Sequence, residues 1–248
     1  MKPLFLLDFD GVLFNSAYEA YTVCERVAGH YPGYRKRIPF EEFMVFRAKL
    51  TDAWQFCRLY QKDRLLPHAA SMHDITPDDQ DWLFAERFFA ARADMMLADD
   101  WAKVMSPYPI FYQLRSLMRK HEPVFKILST RNRQSIQRTL QFFELPELAV
   151  HGQEDIRTYG SKLEVARHHG WLNDHQFVVY VDDMNSHLEP FENEVNLCLH
   201  AGWGYDAAGS ESYTQNQVIN IIVALLSVAF DEPSAAEPGL KTQRNEIQ

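Results

Sequence analysis

The chain has 248 residues, 46% of them hydrophobic, with a net charge of -9 at pH 7 and a pI near 5.6. That apolar content supports a packed interior and excludes global disorder. The acidic balance argues against a general binder of nucleic acid or of anionic membranes, leaving room only for a local basic pocket. Cys24, Cys57 and Cys198 stand far apart among apolar neighbours and form no CxxC pair, the pattern of buried thiols in a reducing compartment. Asp8 interrupts the N-terminal apolar run too early for a signal peptide. The later run 218–230 is too short to span a bilayer. These features predict a soluble, cytoplasmic protein with no nucleic-acid or membrane partner.

In chain order, 4–7 is a short unbroken apolar run, the pattern of a strand buried on both faces of a parallel sheet. It stops at two carboxylates, Asp8 and Asp10, followed at once by Gly11. Ligand sites in parallel sheets lie beyond the carboxyl ends of the strands, where these acids would sit. From 16 to 105 the periodicity is helical and no strand candidate interrupts it. Ala20, Val23, Cys24 and Val27 share one face, and Phe40, Phe43, Phe46 and Leu50 continue at helical spacing through Trp54 and Cys57. Thr76-Pro77-Asp78-Asp79 reads as a helix start. Strand–helix alternation resumes at 106, with a strand over 124–128 that ends in Ser129-Thr130-Arg131. A short strand follows at 148–150, and Ser161 to Glu164 read as a capping box that opens a helix closing at Gly170. The strand 177–181 ends in a second acid pair, Asp182-Asp183. A strand over 195–199 and an amphipathic helix over 216–229 complete the pattern, and 231–248 reads as a mobile tail.

Alternating strands and helices predict an α/β fold, a Rossmann-like parallel sheet flanked by helices, with an all-helical cap inserted after the first strand. The expected organisation is a core of 1–15 and 106–230, a cap of 16–105, and the tail 231–248. Three of the loaded positions, Asp8/Asp10, Ser129/Thr130 and Asp182/Asp183, fall at strand exits and so converge on one sheet edge. Three or four carboxylates in one pocket require a counter-charge, and a hard divalent cation such as Mg²⁺ suits carboxylate oxygens. Lys162 opens a helix, where the dipole disfavours a cation by about 0.3–1 kcal/mol. A lysine there is explained by an anion that it meets.

These residues carry a resemblance. The DFDGV stretch, the hydroxyl closing an apolar strand, the lysine opening a helix and the strand ending in Asp-Asp resemble, in order, the four motifs of haloacid-dehalogenase-superfamily hydrolases. Lys162 stands twenty positions before Asp182, a separation typical of that group. The segment 201–205, AGWGY, is similar to one in phosphoglycolate-phosphatase-like members, and the helical insertion looks like their C1 cap. The resemblance implies an Mg²⁺-dependent phosphatase of a small phosphorylated metabolite, acting through an aspartyl-phosphate intermediate. Asp8 would be the nucleophile, Asp10 the general acid and then base, and Ser129 the phosphoryl ligand, with Thr130 the alternative. Lys162 would neutralise charge. Asp183, with Asp8 and the carbonyl of Asp10, would hold the metal, and Asp182 would ligate it directly or through water. Gly11 would face the substrate. Dehalogenase members lack an acid at the position of Asp10, which favours phosphoryl transfer over carbon–halogen cleavage. A further acid common in the fourth motif is replaced by His187, and Leu163 stands where proline often follows the lysine.

Cap candidates for substrate binding are Arg47, with Lys49 and Trp54, and the cluster Arg35-Lys36-Arg37. Adjacent His168 and His169 diverge on a helix and cannot share a metal. The alternatives are a phosphotransferase or phosphomutase on the same site, and a phosphate-ligand-binding module without turnover. Either a monomer or a homodimer is compatible with the sequence.

Overall fold

The computed structural model describes residues 2–35, 37–47, 49–50, 52–61, 76–98, 101–145, 148–173, 176–206 and 212–230. The tail 231–248 and Lys36 lie outside them. The first strand, β1 (Lys2–Leu7), is buried at every position after Lys2. Then come β2 (Phe14–Asn15), α1 (Ala17–His30), α2 (Phe40–Arg47), α3 (Cys57–Tyr60), α4 (Asp79–Met95) and β3 (Ser106–Pro107). The second half runs α5 (Pro109–Lys120), β4 (Phe125–Leu128), α6 (Arg133–Phe142), β5 (Ala149–His151), α7 (Gln153–Tyr159) and α8 (Lys162–His168). It ends with β6 (Gln176–Asp182), α9 (Asn185–Leu188), β7 (Leu197–His200) and α10 (Gln215–Phe230).

Five strands form one parallel sheet in the order β5-β4-β1-β6-β7, with β1 at its centre. The side-chain period of two divides β1 between two cores. Phe5 and Leu7 join Ile127, Val179 and Val181 against α5 and α10, whereas Leu4 and Leu6 join Val178 and Tyr180 against α8. Both faces are therefore covered, which is why the strand is apolar without alternation. Leu7 stands in register with Ile127 on one side and Val181 on the other. The three central strands thus end almost level, and whatever follows them shares one rim.

The helical segment has its own core, in which Val23, Cys24, Phe43, Phe56, Tyr60, Phe84 and Phe88 pack together. The chain enters it through β2 and returns through β3, and these two strands pair antiparallel, Phe14 opposite Pro107 and Asn15 opposite Ser106. Met96, Trp101, Ala102 and Met105, which precede β3, pack into the sheet-side core instead. The continuous helical reading of 40–57 is corrected: α2 ends at Arg47 and a 3-10 turn, Ala53–Phe56, starts afresh. Asp52 and Gln55 make reciprocal side-chain caps there, which competes with helix continuation. The start of α4 also shifts, because Asp78 rather than Thr76 caps it, accepting from the N–H groups of Gln80 (2.9 Å) and Asp81 (3.1 Å). Ser161 supplies half of the expected box, accepting from Glu164 N at 3.1 Å.

All three cysteines are free thiols. Among the described residues no helix is long and apolar enough to cross a membrane. Phe5 is fully buried and stacks on Phe125 at 4.9 Å, so Phe5→Ala leaves a cavity at the centre of the sheet. Chemical denaturation should show a loss of about 3–5 kcal/mol.

Candidate active site

The rim is where the polar side chains gather. Asp8 continues the line of β1, its N–H donating to Val181 O (2.9 Å), and the chain then turns sharply. Gly11 makes that turn with φ +83°, donating its N–H to Phe14 O at 2.8 Å. Ser129 follows β4, fully buried, and Asp182 and Asp183 close β6 and begin the loop beyond it. Lys162 is the first residue of α8, whose start the Ser161 cap fixes.

The Lys162 ammonium bridges the first and fourth motifs. Nζ lies 2.6 Å from Asp182 Oδ2, 3.2 Å from Asp8 Oδ1 and 3.3 Å from His187 Nδ1, with the lysine side chain 5% exposed. Asp182 is saturated: Oδ2 also receives the Tyr180 hydroxyl, while Oδ1 accepts from Met184 N at 2.9 Å and faces His187 Nδ1 at 3.2 Å. Burial would raise its pKa, but Lys162 and His187 hold it below the ordinary carboxylate range. Asp182 and Asp8 in turn push Lys162 up against the opposing effect of burial.

Asp8 and Asp183 are different. Burial pushes Asp8 up to about 7, with Asp182 and Asp183 adding to the rise and Lys162 opposing it. Burial and the charge of Asp182 likewise push Asp183 to about 7, opposed by the Tyr205 N–H, which donates to Oδ2 at 2.6 Å. Asp8 Oδ1, although near Lys162, is buried and makes no aligned hydrogen bond among the described residues. Two glycines make room for Asp183: a Cβ at Gly11 or Gly204 would overlap its side chain. Two under-compensated buried carboxylates, one in a backbone cradle, are the donor set a hard cation fits. His187 can join Asp8 and Asp182 in a metal-capable group by distance alone. The Lys162 ammonium already sits among those atoms, so that position has its cation.

Asp10, 19% exposed, points to the other side. Burial would raise its pKa, but the Arg131 guanidinium, a hydrogen bond with Ser16, and Arg47 hold it below the usual range. Arg131, a residue the sequence reading passed over, is the centre of a buried ionic chain. Its Nη1 donates to Asp10 Oδ1 (3.2 Å), its Nε to Ser135 Oγ (2.6 Å), and its Nη2 lies 3.2 Å from Glu19 Oε2. Glu19 accepts two hydrogen bonds from Arg92, at 2.8 and 3.0 Å. Ser129 Oγ accepts from the Arg131 N–H at 3.3 Å.

Beyond Asp10 a cavity of about 300 Å³ lies between the helical segment and the sheet rim. Arg47, Trp54, Phe88 and Arg92 line it from one side, Thr130 and Arg131 from the other. Arg47 stacks its guanidinium 4.0 Å over the Tyr205 ring and donates from Nη1 to Leu50 O at 3.1 Å. Its Nε is buried with no hydrogen-bond partner among the described residues. Lys49 is exposed and does not line the cavity. Of the basic cluster, Arg35 pairs with Glu42 and Arg37 faces Glu25, and neither lines the cavity. His169 meets His151 and Asp155 rather than His168 as a metal-capable set. Arg133 takes both oxygens of Asp155 there, at 2.8 and 2.7 Å, and supplies the cation itself.

No protein-family model matches the sequence, and no curated protein matches it. Solved structures do match. One is a candidate phosphoglycolate phosphatase from Lactobacillus plantarum, at TM-score 0.59 and 15% identity, covering 91% of this chain and 100% of that one. Another is a candidate haloacid dehalogenase-like hydrolase from Bacteroides fragilis, at TM-score 0.58 and 16% identity, covering 86% and 97%. A third is the β-phosphoglucomutase of Clostridium difficile, at TM-score 0.57 and 13% identity, covering 94% and 100%. The chain has the haloacid-dehalogenase-like fold. In this fold the four motif segments of the chain lie on one rim, with the helical insertion across the cavity.

The two raised acids have a measurable cost. Each has its pKa moved from 3.8 to about 7 on folding, so the unfolded chain ionises first as pH rises. Their penalty is absent below about pH 4, grows through the window up to 7 and is complete above it. In chelator, Asp183→Asn should therefore melt higher than the parent at pH 8 and converge with it near pH 4. Parallel melting curves across that range would remove the assignment.

Proposed function

We propose that the protein is a divalent-metal-dependent phosphatase that hydrolyses a small phosphomonoester through a phosphoryl group carried on Asp8. The observation that carries this reading is the unequal treatment of the acids on one rim. Asp8 and Asp183 are left short of positive charge beside a lysine, while Asp10 is held apart on Arg131. Asp8, Asp183 and the carbonyl of Asp10 would hold the ion, Mg²⁺ by the hardness of those oxygens. Asp182, whose oxygens already accept from Lys162, Tyr180 and Met184, would serve the lysine and would meet the ion through water. When bound, the ion supplies the missing positive charge and screens the phosphoryl oxygens.

The chain's own residues do the rest. Asp8 Oδ attacks phosphorus as the ester P–O bond breaks, and Lys162 balances charge that moves from the carboxylate to the phosphoryl group. Ser129, or Thr130 beside it, donates to a phosphoryl oxygen. Asp10 gives its proton to the leaving alkoxide and then takes one from the water that cleaves the acyl phosphate, restoring Asp8 and releasing phosphate. Arg131 favours ionised Asp10 in the free site. The charge of an arriving phosphate opposes that field and competes for the guanidinium, moving Asp10 towards its protonated form. Arg47, with its unpartnered Nε, reaches the substrate from the cap.

In this reading 16–105 is a cap over a core of 1–15 and 106–230, and the β2–β3 pair is the hinge on which it opens to admit a small phosphorylated metabolite. Free cysteines suit a reducing, cytoplasmic setting.

The test is turnover of p-nitrophenyl phosphate and a phosphometabolite panel. Activity should need Mg²⁺, vanish in EDTA, and fall by at least about 10³-fold in Asp8→Asn. Because Asp8 and Asp183 must shed protons to bind the ion, the apparent Mg²⁺ affinity should rise with pH through about 7. Transfer to added sugars without phosphate release would identify a transferase instead. Tight phosphate binding with no turnover would identify a binding module.

A further inference from the structure

The ionic chain that starts at Asp10 does not end at the rim. It runs Asp10, Arg131, Glu19, Arg92, alternating in sign, with separations of 3.2, 3.2 and 2.8 Å. Glu19, in the first turn of α1, is fully buried; the side chains of Arg131 and Arg92 are 1% and 9% exposed. The first two members belong to the loops after β1 and β4. The last two belong to helices α1 and α4 of the insertion. Glu19 Oε2 faces both arginines, within 3.2 Å of Arg131 Nη2 and 3.0 Å of Arg92 Nη2.

We propose that Glu19 is a positioning residue for the reaction: it holds Arg131, and through Arg131 it sets where Asp10 lies relative to the leaving group. The geometry gives the reason. Arg131 is pinned by Ser135 at Nε and presents one terminal nitrogen to each of two acids. With Glu19 present, the guanidinium has a second buried counter-ion and Asp10 keeps a single 3.2 Å contact with it. Without Glu19 the same buried cation has only Asp10 to neutralise it, and the pair closes, drawing Asp10 away from the leaving-group oxygen. Because Glu19 sits in the insertion, placement of the acid depends on the seating of that insertion against the sheet rim. Arg92 completes the arrangement by orienting Glu19 with two hydrogen bonds. This inference rests on the reading of Asp10 as the group that protonates the leaving oxygen.

The experiment compares kcat/KM for phenyl phosphate and p-nitrophenyl phosphate, two esters of nearly the same shape that differ in how much their leaving group needs a proton. This ratio reports steps up to leaving-group departure, so the later hydrolysis of the acyl phosphate does not enter. Asp10→Asn sets the reference, with a large loss on phenyl phosphate and a small one on p-nitrophenyl phosphate. Glu19→Gln should show the same selectivity in weaker form, about 10- to 100-fold on phenyl phosphate and no more than about threefold on the nitro ester. The paired variant Glu19→Gln with Arg92→Met keeps the charges balanced should the single change unfold the chain. Because Arg92 also lines the cavity, it is compared with Arg92→Met alone, relative to which it should lose more on phenyl phosphate than on the nitro ester. Equal losses on both esters, or none, in a folded variant would overturn the role of Glu19. An Asp10→Asn enzyme without selectivity would instead overturn the acid assignment beneath it.

Discussion

The rim of this sheet holds more buried carboxylate than its own cations can neutralise. Three acids, Asp8, Asp182 and Asp183, meet one ammonium, Lys162. The ammonium is committed at 2.6 Å to Asp182 and at 3.2 Å to Asp8, which leaves Asp183 with a backbone N–H and two glycine walls. Burying charge without compensation is costly, and the cost shows as pKa values of Asp8 and Asp183 pushed up to about 7. The rest of the arrangement follows from that shortage. The level ends of β1, β4 and β6 bring the acids together, the Ser161 cap aims the lysine at them, and glycine at 11 and 204 lets Asp183 approach.

A second electrostatic unit stands beside the first with the opposite balance. Asp10, Arg131, Glu19 and Arg92 neutralise one another in pairs, so this chain needs nothing from outside. The two acids of the DFD segment, one residue apart, are thereby placed in contrasting fields, one short of positive charge and one supplied with it. Pairs of titratable groups whose surroundings push them apart are the usual basis for dividing nucleophile from proton carrier. On the proposed reading that division would be made partly by Glu19 and Arg92 of the helical insertion, tying the seating of that insertion to the chemistry.

Much of this was legible in the sequence because it is local. A strand buried on both faces shows as an unbroken apolar run, and acids at its exit show as an interruption, so Asp8, Asp10, Asp182 and Asp183 could be read without a structure. Lys162 was legible through its awkward place at a helix start. Arg131 carried the same kind of signal, a charge at a strand exit, but stood behind the more familiar Ser129-Thr130. Glu19 and Arg92 carried none: 73 positions separate them, and each looks like an ordinary charge on a helix. The pairing of Asp182 with Lys162 was also hidden, because it depends on Tyr180 and His187 turning to the same carboxylate. Helix continuity over 40–57 misled for a related reason, since apolar spacing persists across a break that Asp52 and Gln55 create by capping each other.

The central claim is that Asp8 carries the phosphoryl group. Rapid acid quenching of the enzyme during turnover, followed by peptide mass spectrometry, tests it most directly. The account predicts a phosphoryl adduct on the peptide bearing Asp8 in the Mg²⁺-loaded protein, absent from Asp8→Asn and longer-lived in Asp10→Asn. Phosphate release at full rate with no adduct on that peptide, or an adduct that persists in Asp8→Asn, would contradict it.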